Sequence, residues 1–359
     1  MKSLATYAPG RAELLGNHTD YNEGFVLAIA VDRGTTLTGQ VREDRVLSLR
    51  SRELKQSMEI GLDQLAAEKV DGWARYTLGV VDVFRRQGLP VGGFSAEITS
   101  TLPMGAGLSS SASLENAAVL FLLKAFGGSL PPLEIAKFSQ MAEHDFVGVR
   151  CGLLDQISSL MSHANHATFI DCRSFEVRHL PLSDKVSFVL AQSGVKHALV
   201  GGEYNERRSD CEAAARALGV KALRDATTNM LLERQCELPN RIFKRARHIT
   251  GENERVLAGS KALESGDLKK FGELMYESHE SSRIYFENSC PELDRLVDAA
   301  KKTPGIYGAR LSGGGFGGAT INLVEKGREE EVVRALNAAV PGTTCLVTPA
   351  AAGALDTAA

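Results

Sequence analysis

The chain has 359 residues, which is enough for two domains of ordinary size. Hydrophobic residues make up 43% and charged residues 24%, and no apolar run approaches ~20 residues, which excludes a disordered chain and a membrane-spanning one. A formal net charge of −3 excludes the basic excess typical of nucleic-acid-binding proteins, so we expect neither a nucleic-acid partner nor a membrane.

The first half of the chain predicts short strands interrupted by helices. Alternating or β-rich runs predict strands at 26–31, 36–41 and 94–101. Apolar residues at helical spacing predict helices at 73–87, 110–126 and 133–147. Because strands and helices are mixed without a regular β-α-β alternation, the pattern favours an α+β fold over a doubly wound parallel sheet.

The pattern changes near residues 180–184, so we expect an N-terminal domain at 1–182 and a C-terminal domain at 183–359. A buried strand is predicted at 185–193, and long amphipathic helices follow at 203–217, 239–263, 266–284 and 291–302. The last predicted elements are a strand at 319–324, a helix at 328–339 and a strand near 344–348. The final AAAGALDTAA is small and neutral, and we expect it to form a loosely held tail.

Cysteine use and the first residues bear on the cellular compartment. The six cysteines lie far apart without a CxxC pair, which is typical neither of a zinc site nor of a small disulfide scaffold. The opening MKSLATYAPGRA contains no apolar core of signal-peptide length. We therefore expect a cytoplasmic protein with reduced thiols, and we take a monomer as the expected state.

Polar residues are concentrated in a first motif, APGRAELLGNHTDYNEG, at residues 8–24. Arg11, His18 and Asp20 fall within ten residues, beside an extended apolar segment. This clustering suggests a small-molecule site. Taken alone, however, the segment favours a surface turn in which Asp20 and Asn22 are the turn residues.

The strongest motif, LPMGAGLSSSASLENAAVLFLL at residues 102–123, joins a strand to a helix. Residues 105–107 form a small, flexible turn, and serines occupy positions 109–111, where the helix begins. A helix N-terminus exposes unpaired N–H groups and about half a positive charge, so the segment favours phosphate binding. A serine-capped helix is the alternative, but one cap residue would suffice for it. Because no lysine follows the glycines, this is not a Walker A loop, and the positive charge must come from Mg²⁺ or an arginine.

Two later motifs add a carboxylate and a second glycine loop. AEHDFVGVRCGLLDQISS, at 142–159, places Glu143 in a helix and Asp155 after a break at Gly152. Beside two leucines, the Asp155 carboxylate is expected to be partly buried and to need a partner, although a capping or turn aspartate is equally compatible. LSGGGFGGATINLV, at 311–324, satisfies GxGxxG, but strand-like residues follow it, so we reject a dinucleotide site. A glycine loop packed against another backbone or a ligand, and a tight hairpin with a bulge, both stay open.

Together these four motifs resemble the GHMP kinase superfamily and, within it, the galactokinase family. The first motif resembles the galactokinase signature, GAGLSSSAS resembles the phosphate loop, and GARLSGGGFGG resembles the family's third motif. Other similar stretches, such as HATFIDCRSFE, follow in the expected order over almost the whole chain. The resemblance implies an N-terminal domain like ribosomal protein S5 domain 2, a ferredoxin-like C-terminal domain, and a site between them.

The resemblance also implies a role for each matching residue. Asp155 matches the catalytic aspartate, and Arg11 matches the arginine beside it. The ATP-binding positions are Gly105, Ala106, Gly107, Leu108, Ser109, Ser110 and Ser111, with Trp73 near the adenine. The sugar-binding positions are Asn17, His18, Asp20, Gly152 and Tyr204. The positions that hold Mg²⁺ are Ser111 and Glu143.

Two residues depart from the family signature, which usually reads GRxNLIGEHTDY. Glu13 stands where the family has asparagine, and Asn17 stands where the family has the glutamate that contacts the C6 side of galactose. A neutral Asn17 predicts weaker discrimination at C6 and less repulsion of a C6 carboxylate. If the segment is a strand, residues 13 and 17 are ~13 Å apart and cannot touch.

The resemblance implies transfer of the γ-phosphoryl group of ATP to the C1 hydroxyl of α-D-galactose, which gives galactose 1-phosphate and ADP. The expected ligands are therefore a galactose-type sugar and ATP with Mg²⁺. One alternative is an anomeric kinase for a C6-altered relative such as galacturonate. Another is a non-catalytic sugar sensor, although the complete serine loop and the presence of Asp155 favour an enzyme.

Overall fold

The computed structural model describes residues 3–70, 72–103, 105, 107–195 and 200–357. Within those ranges the chain forms eleven strands and eleven α-helices, joined by short 3-10 and π-helical turns. The strands are β1 Leu4–Leu15, β2 Phe25–Val41, β3 Val46–Ser51, β4 Gln56–Gly61, β5 Phe94–Ser100, β6 His166–Asp171, β7 Val177–Pro181, β8 Val186–Gln192, β9 Ile306–Ser312, β10 Ala319–Glu325 and β11 Thr344–Thr348. The helices are α1 Ala74–Arg86, α2 Ser110–Phe126, α3 Pro132–Ala142, α4 Leu154–Met161, α5 Val200–Leu218, α6 Thr228–Glu233, α7 Asn240–Glu264, α8 Leu268–Ser281, α9 Pro291–Lys302, α10 Glu329–Ala339 and α11 Ala354–Thr357.

The described strands that precede residue 182 form one mixed sheet of seven, in the order β4-β3-β5-β2-β6-β7, with β1 also paired to β2. β3 and β5 are parallel, and the other neighbours are antiparallel. The separate strands predicted at 26–31 and 36–41 are one strand, because Gly34 has no Cβ to collide with the carbonyl of Ala8 and the ladder therefore continues. β2 thus links β6 at one end to β5 at the other.

Both faces of the first part of β2 are buried, which explains its continuous apolar run. Val26 and Ala28 face a core built with α1, α2, α3 and α4, where Phe84, Phe94 and Phe121 are fully buried. The alternate residues of β2, such as Leu27 and Ile29, face a second core shared with β8, β10, α7 and α8. Alternate side chains of one strand point to opposite faces, so this single strand joins the two halves of the molecule.

The described strands after residue 182 form a smaller antiparallel sheet, in the order β11-β8-β10-β9. Helices α9 and α10 cover one face, with Leu296 and Leu336 buried against Val189 and Val324. The opposite face packs against α8 and the larger sheet. The result is an α+β architecture, and no helix in the described ranges is long and apolar enough to cross a membrane.

The last residues contradict the prediction of a loosely held tail. Through residue 357 they pack on the larger sheet, where the amide of Ala351 donates to the carbonyl of Ala30 at 2.9 Å. A Cβ at Gly353 would lie 2.5 Å from the carbonyl oxygen of Leu160. The small side chains that suggested disorder are therefore what allows such close packing against α4.

Most predicted elements in the second half exist, with small shifts at their ends. The predicted helix at 266–284 ends as α8 at Ser281 and continues as a π-helical turn at Ser282–Phe286. In the first half, the predicted helix at 110–126 is α2 itself. Among the described strands, the predictions missed β1, β3, β4, β6, β7 and β9; all of these except the 12-residue β1 are short.

Candidate active site

The two glycine segments of the sequence meet in the fold. A Cβ at Gly107 would lie 3.0 Å from the carbonyl oxygen of Ser312, and a Cβ at Gly313 would lie 3.2 Å from that of Gly107. Both glycines have positive φ, at 66° and 82°, where a side chain is strained. Residues 313–318 are thus both the loop of the β9–β10 hairpin and a backbone packed against the first glycine turn, which combines the two interpretations left open by the sequence.

Asp155 lies where these segments and β1 converge, in the first turn of α4. Its Oδ1 accepts from Nε of Arg11 at 2.8 Å and lies 2.6 Å from Nη2 of the same guanidinium. Its Oδ2 accepts a hydrogen bond from the hydroxyl of Ser109. The arginine side chain is 6% exposed and the aspartate 26%, so the carboxylate is held from one side and open to the pocket on the other.

The segment before α2 has the geometry of an anion cradle. Gly105, Gly107 and Ser109 have positive φ, and α2 begins at Ser110 with its first amide groups free of side-chain caps. Ser109 stands at the N-cap position, but its hydroxyl donates to Asp155 instead of capping the helix. The serine-capped helix is therefore not what these residues form. The predicted position Ala106 lies outside the described residues.

Arg11 connects the carboxylate to this segment. Its backbone amide donates to the carbonyl of Leu108 at 3.1 Å, and Nη1 donates to the carbonyl of Gly107 at 2.8 Å. The approach requires Gly10, where a Cβ would lie 2.6 Å from the same Leu108 carbonyl oxygen. A buried cation thus stands beside the glycine turn, in the place of the lysine that the motif lacks.

An apolar cavity of about 180 Å³ opens on the other side of the serines. Ser110, Ser111, Trp73, Tyr76 and Leu54 are among the residues that line it. Trp73 immediately precedes α1, and its contact with this cavity brings it near the start of α2. A flat aromatic ligand next to a phosphate chain fits such a cavity, but the adenine contact of Trp73 stays a prediction.

A second cavity, of about 160 Å³, lies on the Asp155 side of the serine turn. It brings together residues predicted from separate motifs: Arg11, Asn17, His18, Asp20, Asp155 and Tyr204. The backbone of Gly313 and Gly314 forms part of the opposite wall. We call this cavity the sugar pocket, because the predicted sugar-binding residues line it.

Asp20 reaches the sugar pocket only because residue 152 is glycine. A Cβ at Gly152 would lie 2.1 Å from Oδ2 of Asp20. Burial and, after it, the nearby charge of Asp155 raise the pKa of Asp20 to about 7. Gly152 therefore leaves room for this carboxylate, and the sugar contact of Gly152 itself stays a prediction.

His18 is part of the pocket wall, and both of its ring nitrogens are occupied. The network assigns the proton to Nε2, which donates to the carbonyl of Gly314 at 3.0 Å, while Nδ1 accepts from the hydroxyl of Tyr21 at 2.8 Å. Burial lowers the pKa of His18 to about 4, so the ring is neutral at pH 7. Tyr204 packs beside it, with ring centroids 5.0 Å apart, and burial raises the pKa of the Tyr204 hydroxyl.

Glu13 and Asn17 contact each other, so the expected separation of ~13 Å is wrong. Strand β1 ends at Leu15, and Gly16, with φ of 104°, turns the chain back on itself. Nδ2 of Asn17 consequently lies 3.4 Å from Oε2 of Glu13. Strand spacing holds only where the chain is extended, and here the turn at Gly16 begins between residues 13 and 17.

Glu143 and Ser111 are joined by a hydrogen bond, with Glu143 lining the sugar pocket and Ser111 lining the cavity beside Trp73. Glu143 is buried at the start of a π-helical turn, Glu143–Val147, that ends α3. Burial raises the pKa of Glu143 to about 7, and the charge of Asp155 adds to the rise. The hydroxyl of Ser111 lowers it again through a hydrogen bond. Glu115 is buried nearby, and burial and Glu143 together raise its pKa well above the usual range.

The sequence predictions missed the residues of α7 that hold the turn at residues 16–17. Oε2 of Glu252, a fully buried residue, accepts from the amides of Gly16 and Asn17 at 2.9 and 3.0 Å. Nε2 of His248, one helical turn earlier, lies 3.1 Å from the carbonyl oxygen of Asn17. The signal available in the sequence was a pair of polar residues, His248 and Glu252, four positions apart on the apolar face of a helix.

Comparison with known proteins agrees with this geometry. The chain matches the family described as "GHMP kinases N terminal domain" over residues 75–163 and "GHMP kinases C terminal" over 260–342. Residues 2–41 match the "Galactokinase galactose-binding signature", which covers β1 and the turn that carries Asn17, His18 and Asp20. The matched regions thus include the strand and the turn that form one wall of the sugar pocket.

Relatives of nearly equal length are found among bacteria and animals. A galactokinase from Chloroflexus aggregans is 43% identical over 92% of this chain and 86% of its own. The human galactokinase is 42% identical over 98% of this chain and 91% of its own. A crystal structure of the Lactococcus lactis galactokinase with galactose superposes with a TM-score of 0.93 at 31% identity, covering 98% and 94% of the two chains. With this fold and these relatives, the chain belongs to the galactokinase family of the GHMP kinases.

Proposed function

We propose that this protein transfers the γ-phosphoryl group of ATP to the C1 hydroxyl of α-D-galactose, which gives galactose 1-phosphate and ADP. One observation carries the proposal. Asp155 stands between the sugar pocket and the serine turn and is bonded to Arg11 on one oxygen and to Ser109 on the other. Membership of the galactokinase family then supplies the substrate class for a site of this shape.

Asp155 is the proposed general base. Phosphoryl transfer depends mainly on alignment and on stabilisation of charge, so the base contributes on the ordinary scale of ~10²–10⁴-fold. The open side of the carboxylate accepts the proton of the C1 hydroxyl as the oxygen attacks phosphorus. Arg11 stabilises the ionised carboxylate and lies close enough to offset charge on the phosphoryl oxygens.

The turn at residues 105–111 is the proposed binding site for the triphosphate. Backbone N–H groups at the start of α2 and the hydroxyls of Ser110 and Ser111 are donors for phosphate oxygens. The positive φ of Gly105 and Gly107 lets the backbone bend around a phosphate group without collision. The adenine is proposed to lie in the cavity beside Trp73.

Sugar orientation is proposed to come from Asp20, Tyr204 and the wall formed by His18 and Asn17. Asp20 can accept hydrogen bonds from ring hydroxyls, since Gly152 leaves its carboxylate free to face the pocket. The rings of His18 and Tyr204 offer apolar area to the face of a pyranose. Holding the sugar in this way directs its C1 hydroxyl towards Asp155.

The residues beside the serine turn fit Mg²⁺. In the described ranges no three carboxylate, histidine or cysteine side chains cluster into a metal site of their own. Mg²⁺ in kinases is instead held by one or two carboxylates together with substrate phosphates, and Glu143 and Ser111 offer such hard oxygen donors. When bound, the ion supplies positive charge that stabilises the transferring phosphoryl group. We propose that Ser111 and Glu143 orient it.

We also propose that the protein is a cytoplasmic monomer with domains at 1–182 and 183–359. All six cysteines are free thiols, which is compatible with a reducing compartment. Leu54, Leu232 and Ile284 are among the exposed large apolar side chains of the described residues, and they lie on different elements. Residues 349–357 of the second domain pack on the sheet of the first.

The test is an assay of ADP formation with galactose, with the product identified by ³¹P NMR as the 1-phosphate. We expect ADP only when sugar is present, and product formation at least ~10²-fold slower with the Asp155→Asn variant. ATP consumption that is independent of sugar would contradict the proposal, and so would binding of both ligands without turnover, which is the behaviour of a sensor. Faster turnover of galacturonate than of galactose would favour the C6-altered substrate instead.

A further inference from the structure

The second glycine loop, residues 313–318, is tied to two other segments of the chain by side-chain amides. Nδ2 of Asn17, which follows β1, donates to the carbonyl of Gly313 at 2.8 Å. Nδ2 of Asn288, which lies between α8 and α9, donates to the carbonyl of Gly314 at 3.1 Å. It also donates to Oδ1 of Asn17, at 2.9 Å. The two amides therefore form one chain of hydrogen bonds, which joins the turn after β1 to the loop through Asn288.

Asn288 also binds the loop through its backbone. Its carbonyl accepts from the amide of Phe316 at 2.6 Å. This approach requires Gly315, where a Cβ would lie 2.2 Å from that carbonyl oxygen and 2.8 Å from Nδ2 of Asn288. The side-chain amide acts only as a donor, because the carbonyl of Gly314 can only accept and Oδ1 of Asn288 has no partner among the described residues. Replacement of Nδ2 by an oxygen atom would thus remove both side-chain bonds.

The segment that carries Asn288 is itself firmly held. The preceding residue, Glu287, ends the π-helical turn with a left-handed φ of 54°. Arg207 of α5 donates to the carbonyls of Phe286 and Glu287 at 2.9 and 3.1 Å, and Arg245 of α7 donates to the Glu287 carboxylate at 2.8 Å. Both arginines are buried, and Asn288 is fully buried. The glycine loop is therefore fixed, through Asn288, to two helices of the second half of the chain.

The loop stands between the two ends of the candidate site. The backbone of Gly313 and Gly314 lines the sugar pocket. A Cβ at Gly313 would lie 3.2 Å from the carbonyl oxygen of Gly107, in the turn proposed to bind phosphate. A shift of the loop would consequently move the wall of the sugar pocket relative to the phosphate turn. Phosphoryl transfer depends on alignment of the attacking oxygen with phosphorus, and a displacement of ~1 Å can cost ~10²-fold in rate.

We infer that Asn288 is a positioning residue for phosphoryl transfer, whose amide holds the second glycine loop at the spacing that aligns the sugar with the phosphate turn. This inference rests on the proposed galactose kinase function. Asn288 acts through the loop and not on a substrate, since it is fully buried and does not line the sugar pocket. Its substitution should therefore reduce kcat, which depends on alignment, more than it weakens the binding of either substrate.

The first measurement is hydrogen exchange of the protein without ligands, followed by NMR. In Asn288→Asp and in Asn288→Ala, the amide of Phe316 should exchange at least ~10-fold faster than in the unchanged protein, because the loop opens more often. The amides of β8, in the same half of the chain, should change by less than ~2-fold. Equal acceleration in the loop and in β8 would show a general loss of stability and would contradict a local role.

The second measurement is steady-state kinetics, with turnover divided by the folded fraction of each variant. Both variants should lower kcat about 10-fold, a partial loss because His18 still donates to the carbonyl of Gly314. The KM values for galactose and for ATP should stay within ~3-fold. Asn288→Asp keeps the volume of the side chain and removes the donor, whereas Asn288→Ala tests the same loss without a buried charge. Asn229→Ala, at an exposed position on α6, is the control and should change neither measurement.

Each failure has a separate meaning. No turnover of galactose by the unchanged protein contradicts the proposed function, and this result is obtained before any variant is made. Near-normal kcat in Asn288→Ala contradicts the positioning role alone. A higher KM for galactose with unchanged kcat also contradicts it, because the side chain would then shape the pocket and not the alignment.

Discussion

The two ends of the candidate site are built in different ways. The proposed phosphate end is a single stretch before α2, in which Gly105, Gly107 and Ser109 have positive φ and the first helical amide groups are free of side-chain caps. The sugar end is assembled from β1 and the following turn, Gly152, Tyr204 and the second glycine loop, which come together only in the folded chain. Asp155 and Arg11 stand at the junction between them.

This difference teaches where each end is vulnerable. In the serine turn, the hydroxyls of Ser110 and Ser111 are the proposed donors to a ligand, whereas Ser109 is bonded to Asp155. At the sugar end the side chains are bonded to one another across both halves, as Asn17 is to Gly313 and Asn288. A small change of volume there displaces several groups together, because packed interiors transmit strain.

The largest effect is expected from a change of Asp155, which lies at the junction between the two ends. Asp155→Asn keeps the shape of the side chain but removes the base, so turnover should fall at least ~10²-fold. Binding of ATP, measured by calorimetry, should be preserved, because the phosphate end is formed by other residues. Near-normal turnover would remove Asp155 from the reaction, and loss of ATP binding would show that the two ends are not separable.

The second largest effect is expected from a change of side-chain volume at the sugar end. Gly152→Ala adds a Cβ 2.1 Å from the carboxylate of Asp20, so Asp20 must move. The KM for galactose should rise ~10-fold or more, as for a misplaced positioning group, while the KM for ATP stays within ~2-fold. Gly202→Ala on α5 is the control, since a Cβ there meets nothing within 4 Å. Equal increases in both KM values would contradict the separation of the two ends.

A milder effect is expected at the phosphate end. Ser111→Ala removes one oxygen donor beside Glu143 and should raise the Mg²⁺ concentration needed for half-maximal activity several-fold, with the KM for galactose unchanged. The exposed Ser57→Ala on β4 is the control. An unchanged Mg²⁺ titration would mean that the ion is held elsewhere.

The smallest effect concerns stability against pH. Burial raises the pKa of Asp20 from 3.8 to about 7, so between these values the folded protein holds a proton that the unfolded chain has released. This contribution favours folding at low pH and is lost, by up to about 1.4 kcal/mol per pH unit, as pH rises through about 7. Asp20→Asn should therefore reduce the fall in Tm between pH 5 and pH 8, measured without ligands. Asp184→Asn, in an exposed turn, should leave that fall unchanged.

Local patterns made the phosphate end predictable in advance. Glycine beside consecutive serines before an apolar helical run predicted the turn and α2 at its observed bounds. What the pattern could not predict was the partner of each hydroxyl. Ser109 had the composition of a helix cap, but its hydroxyl bonds Asp155, which is brought there by a distant part of the chain.

The sugar end was predictable only as a set of residues. The family pattern predicted Asn17, His18 and Asp20 together with Tyr204 as sugar-binding residues, and all four line one pocket. The contact between Glu13 and Asn17 was excluded by strand spacing, because the turn at Gly16 was not foreseen. Glu252 was missed because its bonds to the turn cross between the two halves of the molecule.

The sequence by itself therefore determined the α+β class, the anion-binding turn and the residue types of the site. Those features depend on short-range backbone preference and on local periodicity, which each segment carries alone. Only the tertiary structure decided which partner each buried carboxylate meets. Those partners lie far apart in sequence: Glu252 accepts from the backbone amides of Gly16 and Asn17, and Glu13 lies 3.4 Å from the buried guanidinium of Arg310.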